Sequence, residues 1–179
     1  MEDKLYIEKA LKGDTRAYGV LVDKYQSLIF VLVRRVCNNS DDAMEISQDV
    51  FLKAYQQLHT FRGASSFATW LYRIAFNTAI SNVRKTRSGS RNKGTYETEI
   101  KHTQDAWEED PDPEREAQFE KLRQLVDDLP PSERLLIELY YYKELKMEEV
   151  AYISGMTVAN AKVRIHRIRQ KLQTEMTVS

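Results

Sequence analysis

Apolar residues recur along this chain at three- and four-residue steps, the spacing that gathers side chains on one face of an α-helix. Tyr18, Leu21, Val22, Tyr25, Leu28, Ile29, Leu32, Val33 and Val36 form the first long stripe. It predicts a helix of about six turns, opened by Asp14, whose short carboxylate can accept an orphan N–H of the first turn. A shorter helix over Lys4 to Lys12 precedes it and ends at Gly13. A third helix, capped by Ser40 or Asp41, turns Ala43, Ile46, Val50, Phe51, Ala54, Tyr55 and Leu58 to one side and Asp42, Glu45, Gln48 and Asp49 to the other. The segment from Thr60 to Ser65 breaks the pattern, and Ser65 or Ser66 then caps a fourth helix. Phe67, Trp70, Leu71, Ile74 and Thr78 face inward there, so Phe67 and Trp70 read as core. Outward, Thr69, Arg73, Asn77 and Arg84 recur at steps of four, four and seven, a polar and basic stripe.

From Lys85 to Pro113 the aliphatic residues thin out and Ser, Gly, Asn, Asp and Glu dominate, which reads as a linker. Fully stretched it spans at most about 100 Å, and as a coil it averages roughly 30 Å. Tyr96 and Trp107 are its candidate docking contacts. A second module begins near Glu114 with Phe119, Leu122, Val126 and Leu129 as an apolar face, and restarts at Pro130-Pro131, where proline suits a first helical turn. Two helices follow, Lys146 to Ser154 and Val158 to Gln173, joined by Gly155-Met156-Thr157. Glycine supplies the positive φ needed after one helix and Thr157 caps the next, which is a helix-turn-helix pattern. Ala161, Ile165, Ile168 and Leu172 face its core, leaving Ala159, Asn160, Val163, His166, Arg167 and Gln170 outward. The expected fold is all-α: small helical domains over 1–85 and 114–179, joined by a flexible acidic linker over 86–113, the second domain being a helix-turn-helix domain.

Composition narrows the function. The chain has 179 residues, with only six Gly and four Pro, which suits helices rather than sheets. Cys37 is the single cysteine, set among apolar neighbours, and reads as a reduced, buried thiol. No basic leader precedes an apolar run and no membrane-length apolar stretch occurs, so cytoplasmic residence is expected. His59, His102 and His166 are scattered without ligand spacing, so neither a metal site nor a cofactor is expected.

The charge is balanced at 27 basic and 27 acidic residues, but it is segregated. Arg62, Arg73, Arg84, Lys85, Arg87, Arg91 and Lys93 lie in a stretch from Phe61 to Tyr96 that holds no carboxylate. From Glu97 to Asp128 there are twelve carboxylates against four basic residues. The last helix carries Lys162, Arg164, Arg167, Arg169 and Lys171, with no acid between Glu149 and Glu175. Two basic blocks separated by an acidic connector suit phosphate contacts, whose affinity falls steeply with salt. In a major groove, Asn160 can pair with an adenine edge, Val163 can touch a thymine methyl and Lys162 can meet a guanine, while flanking cations hold phosphates.

Three ordered blocks carry a family resemblance: GDTRAYGVLVDKYQSLIF; DDAMEISQDVFLKAYQQLHTFRGASSFATWLYRIAFNTAISNVRK; and LPPSERLLIELYYYKELKMEEVAYISGMTVANAKVRIHRIRQKL. Together they resemble a bacterial RNA polymerase sigma factor of the extracytoplasmic-function type. The resemblance implies a subunit that binds core RNA polymerase and directs initiation at promoter DNA. The core would be met through Asp42, Glu45, Gln48, Asp49, Phe51 and Lys53. The minus-ten element would be captured and opened by Arg62, Ser65, Ser66, Arg73, Asn77 and Arg84. The minus-thirty-five element would be read by Thr157, Asn160, Lys162, Val163, Arg164 and Arg167. It also implies an anti-sigma factor as partner, and no catalytic residues. The chain departs from the family pattern at Met44-Glu45, where an acidic pair is common, and at Phe76, where a basic or polar residue is common. Lys146 replaces the usual Ser or Thr cap, so that helix end is expected to fray, and Ala159-Asn160 replaces a Gly-Thr pair.

Three other readings are weaker. An operator-binding regulator does not account for the Glu45 to Leu58 block. A nuclease would need clustered carboxylates for metal ions on the basic surface, and that surface has none. A helical adaptor would show no dependence on DNA. In the free protein the two modules are expected to pack together and mask their basic faces.

Overall fold

The computed structural model describes residues 2–37, 39–89 and 113–177, and every regular element among them is helical. The first module holds α1 (Glu2–Leu11), α2 (Thr15–Arg34), α3 (Ser40–Gln57), a three-ten turn (Leu58–Thr60) and α4 (Phe67–Gly89). Gly13 takes φ +93° between α1 and α2, and Asp14 caps α2 by accepting the N–H groups of Arg16 and Ala17 at 3.0 and 3.1 Å. The cap of α3 is Asn39 rather than Ser40 or Asp41. Its side-chain oxygen accepts the Asp42 N–H at 2.7 Å from an extended backbone, a geometry an amide oxygen reaches as well as a carboxylate does. Ser66 caps α4, accepting the Thr69 N–H at 3.0 Å. α4 runs on to Gly89, past the expected boundary at 85. Tyr96, His102 and Trp107 lie outside the described residues.

α2 packs on α1, α3 and α4, and α3 on α4, around Leu21, Ile29, Leu32, Val33, Val50, Ala54 and Leu71, all essentially inaccessible. The inward face of α3 departs from expectation at adjacent pairs. Consecutive helix positions point about 100° apart, so one residue of each pair takes the tight inner place. Val50 and Ala54 take it. Phe51 is half-buried and Tyr55 is 37% exposed, its ring tilted against Tyr18 at 4.8 Å.

The second module holds α5 (Pro113–Asp127), α6 (Pro131–Ile137), a π-helical segment (Glu138–Tyr142), α7 (Met147–Ser154) and α8 (Val158–Thr177). The apolar face expected on α5 is only partly used. Phe119 is 60% exposed and Leu122 is 37% exposed, because α5 packs mainly on α8 and engages the core only at Leu125, Val126 and the following Leu129. The π-helical segment interrupts what the pattern read as a continuous helix through LLIELYY. Wider winding there brings Glu138 inside, 3% exposed. Gly155 closes α7 at φ +71° with open space around its Cα, and Thr157 Oγ1 accepts the Asn160 N–H at 3.2 Å to open α8. A lysine ammonium has no lone pair, so Lys146 cannot cap α7. Glu149 compensates by accepting the Lys146 backbone N–H at 3.2 Å.

The modules pack on each other, α4 against α7 and α6, and their buried side chains form one continuous cluster. Arg134, 6% exposed, donates from Nη1 to the Arg35 carbonyl at 2.8 Å and from Nη2 to the carbonyls of Asp127 and Leu129. Arg35 Nε lies 2.8 Å from Glu138 Oε2, and both side chains are nearly out of water. The Arg35 guanidinium also lies over the Tyr142 ring at 5.1 Å.

Candidate nucleic-acid interface

Three surfaces carry the residues singled out by sequence. On α3, Asp42, Glu45 and Gln48 are exposed and Asp49 is half-exposed along one side, with Met44 and Leu52 exposed among them at 53% and 57%. A strip mixing carboxylates, amides and uncovered aliphatic chains is suited to docking on a protein, where apolar area gives affinity and charge gives register. Phe51 and Lys53 do not share that strip. The Phe51 carbonyl accepts the Tyr18 hydroxyl at 2.6 Å, and Lys53 turns toward α4, its Nζ 3.3 Å from Thr78 Oγ1.

The second surface is a cleft of about 790 Å³ beneath the loop between the three-ten turn and α4. Arg62, Ser65, Arg73 and Asn77 line it, joined by Lys53. Ser66 is used in capping α4 and lies off the cleft, and exposed Arg84 lies about two turns beyond Asn77 along α4, just past Ser81 at the end of the cleft. The floor is aromatic: Trp70 lines the cleft, and Phe61, Phe67 and Trp70 pack with ring centroids 5.5 Å apart. Phe67 and Trp70 are 4% and 7% exposed, so they are core side chains that stiffen the loop. Phe76, where the family pattern favours a polar residue, is buried at 6% and contributes to that core instead of to the cleft.

Three lining residues come from the other module: Glu148, Glu149 and Tyr152 of α7. Sequence reading missed them. Thr69, expected to face outward, is 2% exposed because Glu149 Oε1 accepts its hydroxyl at 2.8 Å. Arg73 lies over the Tyr152 ring at 4.6 Å. Eighty positions separate Thr69 from Glu149, and no local pattern signals such a pair.

The third surface is the outward face of α8. Thr157, Asn160, Lys162 and Arg167 are exposed, and Val163 is 49% exposed between them. Arg164 is held differently, its Nη2 2.6 Å from Glu133 Oε1. Ala161, Ile165, Ile168 and Leu172 anchor the opposite face in the core, so the first turns of α8 stand free for a groove. Cys37 is buried, and burial, followed by the Asp42 carboxylate, pushes its thiol up to about 11, which leaves it inert at neutral pH. No helix among the described residues is long and apolar enough to cross a membrane.

Comparison with known proteins places the chain in a family. Residues 21–89 match the family model for sigma-70 region 2, and residues 119–172 match that for sigma-70 region 4. The chain is 35% identical to the ECF RNA polymerase sigma-E factor of Escherichia coli K12, over 98% of this chain and 95% of the relative. It is 32% identical to the RNA polymerase sigma-H factor of Pseudomonas aeruginosa, over 96% of this chain and 92% of the relative. The fold is similar to that of CnrH, solved with the cytosolic domain of CnrY, at TM-score 0.68 and 21% identity, covering all of this chain and 99% of that one. It is also similar to the sigma factor RpoE of Bartonella quintana, solved with the anti-sigma factor NepR, at TM-score 0.64 and 20% identity, covering 90% of this chain and 98% of that one. The chain therefore belongs to the sigma-70 family, as an RNA polymerase sigma factor of the extracytoplasmic-function type.

Proposed function

We propose that this sigma factor divides its work among the three surfaces. The exposed side of α3, through Asp42, Glu45, Gln48 and Asp49, docks on core RNA polymerase. Phe51 serves it indirectly by packing α3, while Lys53 adds its charge to the cleft instead. Opening a duplex takes bases out of the stack at a few kcal/mol each, so the opened strand needs a basic path and a pocket. Arg62, Ser65, Arg73 and Asn77 supply that at the minus-ten element, with Arg84 continuing the track and Ser66 fixing the start of α4. α8 enters the major groove at the minus-thirty-five element, with Asn160, Lys162 and Val163 toward base edges. Arg167 and Thr157 face the backbone, and Arg164 joins them when it leaves Glu133.

The observation that carries this reading is the free, cationic N-terminal half of α8 on one module together with an acid-free basic loop and stripe, Phe61 to Arg84, on the other. The domains are residues 1–85, extended by the end of α4, and 114–179. The protein acts in the cytoplasm as a non-catalytic subunit and is restrained by an anti-sigma factor. The test is co-elution with purified core polymerase. Wild-type protein co-elutes, and charge reversal by Gln48→Lys with Asp49→Lys abolishes co-elution without changing the helical circular dichroism. Unchanged co-elution of that variant contradicts the docking assignment.

A further inference from the structure

We infer that α1 braces the strand-opening loop, with Asp3 and Tyr25 as positioning residues for opening at the minus-ten element. This rests on the assignment of the cleft to single-stranded DNA. The loop that carries Arg62 and Ser65 into the cleft begins at Phe61 and ends at Phe67, and both rings belong to one aromatic cluster. Phe61 meets Phe67 edge-on and Trp70 tilts against both, each pair with centroids 5.5 Å apart. A ring from another helix supports the cluster: Tyr25 of α2 lies against Phe67, again at 5.5 Å.

Tyr25 is itself held from α1. Its hydroxyl donates to Asp3 Oδ2 at 2.6 Å, and Lys24 Nζ donates to Asp3 Oδ1 at 2.6 Å, so the carboxylate is fixed through both oxygens. Burial first, and then the Asp3 carboxylate, push the Tyr25 hydroxyl up to about 12, which keeps its proton in place at neutral pH. A hydrogen bond to an ionised oxygen is shorter and about twice as strong as a neutral one. It pins the far end of the ring, which the tilted contact with Phe67 alone does not. α1 also meets the three-ten turn, immediately before Phe61.

The polar end of α1 is not needed to hold that helix in place. Asp3, Ile7 and Ala10 share a face at steps of four and three, and Ile7 and Ala10, 6% and 4% exposed, bury it against α2. The Asp3–Lys24 pair, with side chains 26% and 46% exposed, adds little stability of its own. Its consequence is geometric. Close-packed rings pass a displacement on instead of absorbing it. A shift at Tyr25 therefore moves Phe67 and Phe61, and with them both ends of the loop that places Arg62 and Ser65. Side chains that must meet a strand as it leaves the duplex tolerate only about 0.5 Å of such drift.

The test uses holoenzyme assembled from the full chain and purified core polymerase, on the promoter that gives its strongest transcript. Permanganate reactivity of thymines follows opening with time, and gel shift in the cold, before opening, measures closed-complex affinity. Asp3→Ala and Tyr25→Phe cut the same bond from its two ends, and Tyr25→Phe keeps the ring. The expected result is opening slowed about tenfold by either variant. Closed-complex affinity, co-elution with core and the urea midpoint stay close to wild type, and the double variant opens no more slowly than the singles. Opening at the wild-type rate in both variants overturns the brace. So does slowing matched by an equal loss of co-elution or by a lower urea midpoint, the result that general destabilisation of the module gives. Losses that multiply in the double variant overturn it as well, since the two side chains then act apart. Arg73→Ala with Asn77→Ala is the control on the cleft. Slowed opening there, alongside wild-type rates in the brace variants, overturns the brace and leaves the strand surface standing. Unchanged opening in that control overturns the strand surface, and the brace with it.

Discussion

Glu138→Gln should be among the most damaging single-atom changes available in this protein. The carboxylate is 3% exposed, with Oε2 2.8 Å from Arg35 Nε and Oε1 3.8 Å from Lys143 Nζ, so it is the anion around which an intermodule charge cluster is built. Removing one partner of a buried pair leaves an uncompensated charge, commonly at 3–5 kcal/mol. Here Lys143 is a quarter exposed and can return to water, and the Arg35 guanidinium keeps the Tyr142 ring at 5.1 Å, worth about 1 kcal/mol. The amide also keeps an acceptor, so the expected loss falls below that range, at about 2–3 kcal/mol. Urea unfolding followed by circular dichroism measures it. The same loss should loosen the intermodule contact and expand the protein in scattering. The diagnostic is the double variant Arg35→Met with Glu138→Leu. The Arg35 carbonyl, which accepts from Arg134, is untouched, so replacing the pair by apolar side chains should recover most of the stability or exceed wild type. A double variant as unstable as Glu138→Gln, or a single variant indistinguishable from wild type, would refute the reasoning.

Three further outcomes are expected. Gly155→Ala should lower the stability of the protein by about 1 kcal/mol in urea titration through φ +71° alone, since nothing lies within 4 Å of an added Cβ, and Gly155→Asn should be milder. The Cys37 thiol should resist iodoacetamide at pH 8 at least about tenfold better in the folded protein than in urea. Its folded pKa, about 11, lies above its ordinary value, so its stabilising contribution is whole below that ordinary value and disappears as pH climbs through about 11, readable as a falling midpoint in alkaline urea titrations. Lys162→Ala should alter sequence preference, as its place toward base edges requires, and Arg167→Ala should reduce the salt dependence of duplex binding by about one unit of slope. An unchanged slope with altered sequence preference would instead assign that residue to a base edge.

How far the sequence could be read depended on the range of the interactions involved. Stripes such as Leu21 to Val36 and Ala161 to Leu172 are local, so periodicity found both helices and their faces, and the caps at Asp14 and Thr157 followed from side-chain reach. Asn39 lost out to Ser40 and Asp41 only because three neighbouring side chains are all competent caps. The π-helical segment had no local signature: LLIELYY reads as plain helix, and the winding change becomes intelligible only once Glu138 is seen against Arg35 of the other module. Phe119 was read as core because its spacing is right, but spacing cannot say whether a neighbouring helix covers it. The candidate site divided in the same way. The α8 face and the basic cleft were legible as acid-free runs, whereas Lys53's turn toward α4 and the burial of Thr69 under Glu149 depend on tertiary contacts that no window of sequence contains.

Promoter-dependent transcription by purified core RNA polymerase, with and without this protein, tests the central claim most directly. Discrete transcripts should appear only when the protein is present. Their start sites should share two upstream elements, with Asn160→Ala changing preference at the distal one and Arg73→Ala slowing opening at the proximal one. Duplex binding by the protein without any protein-dependent initiation from core would contradict the account.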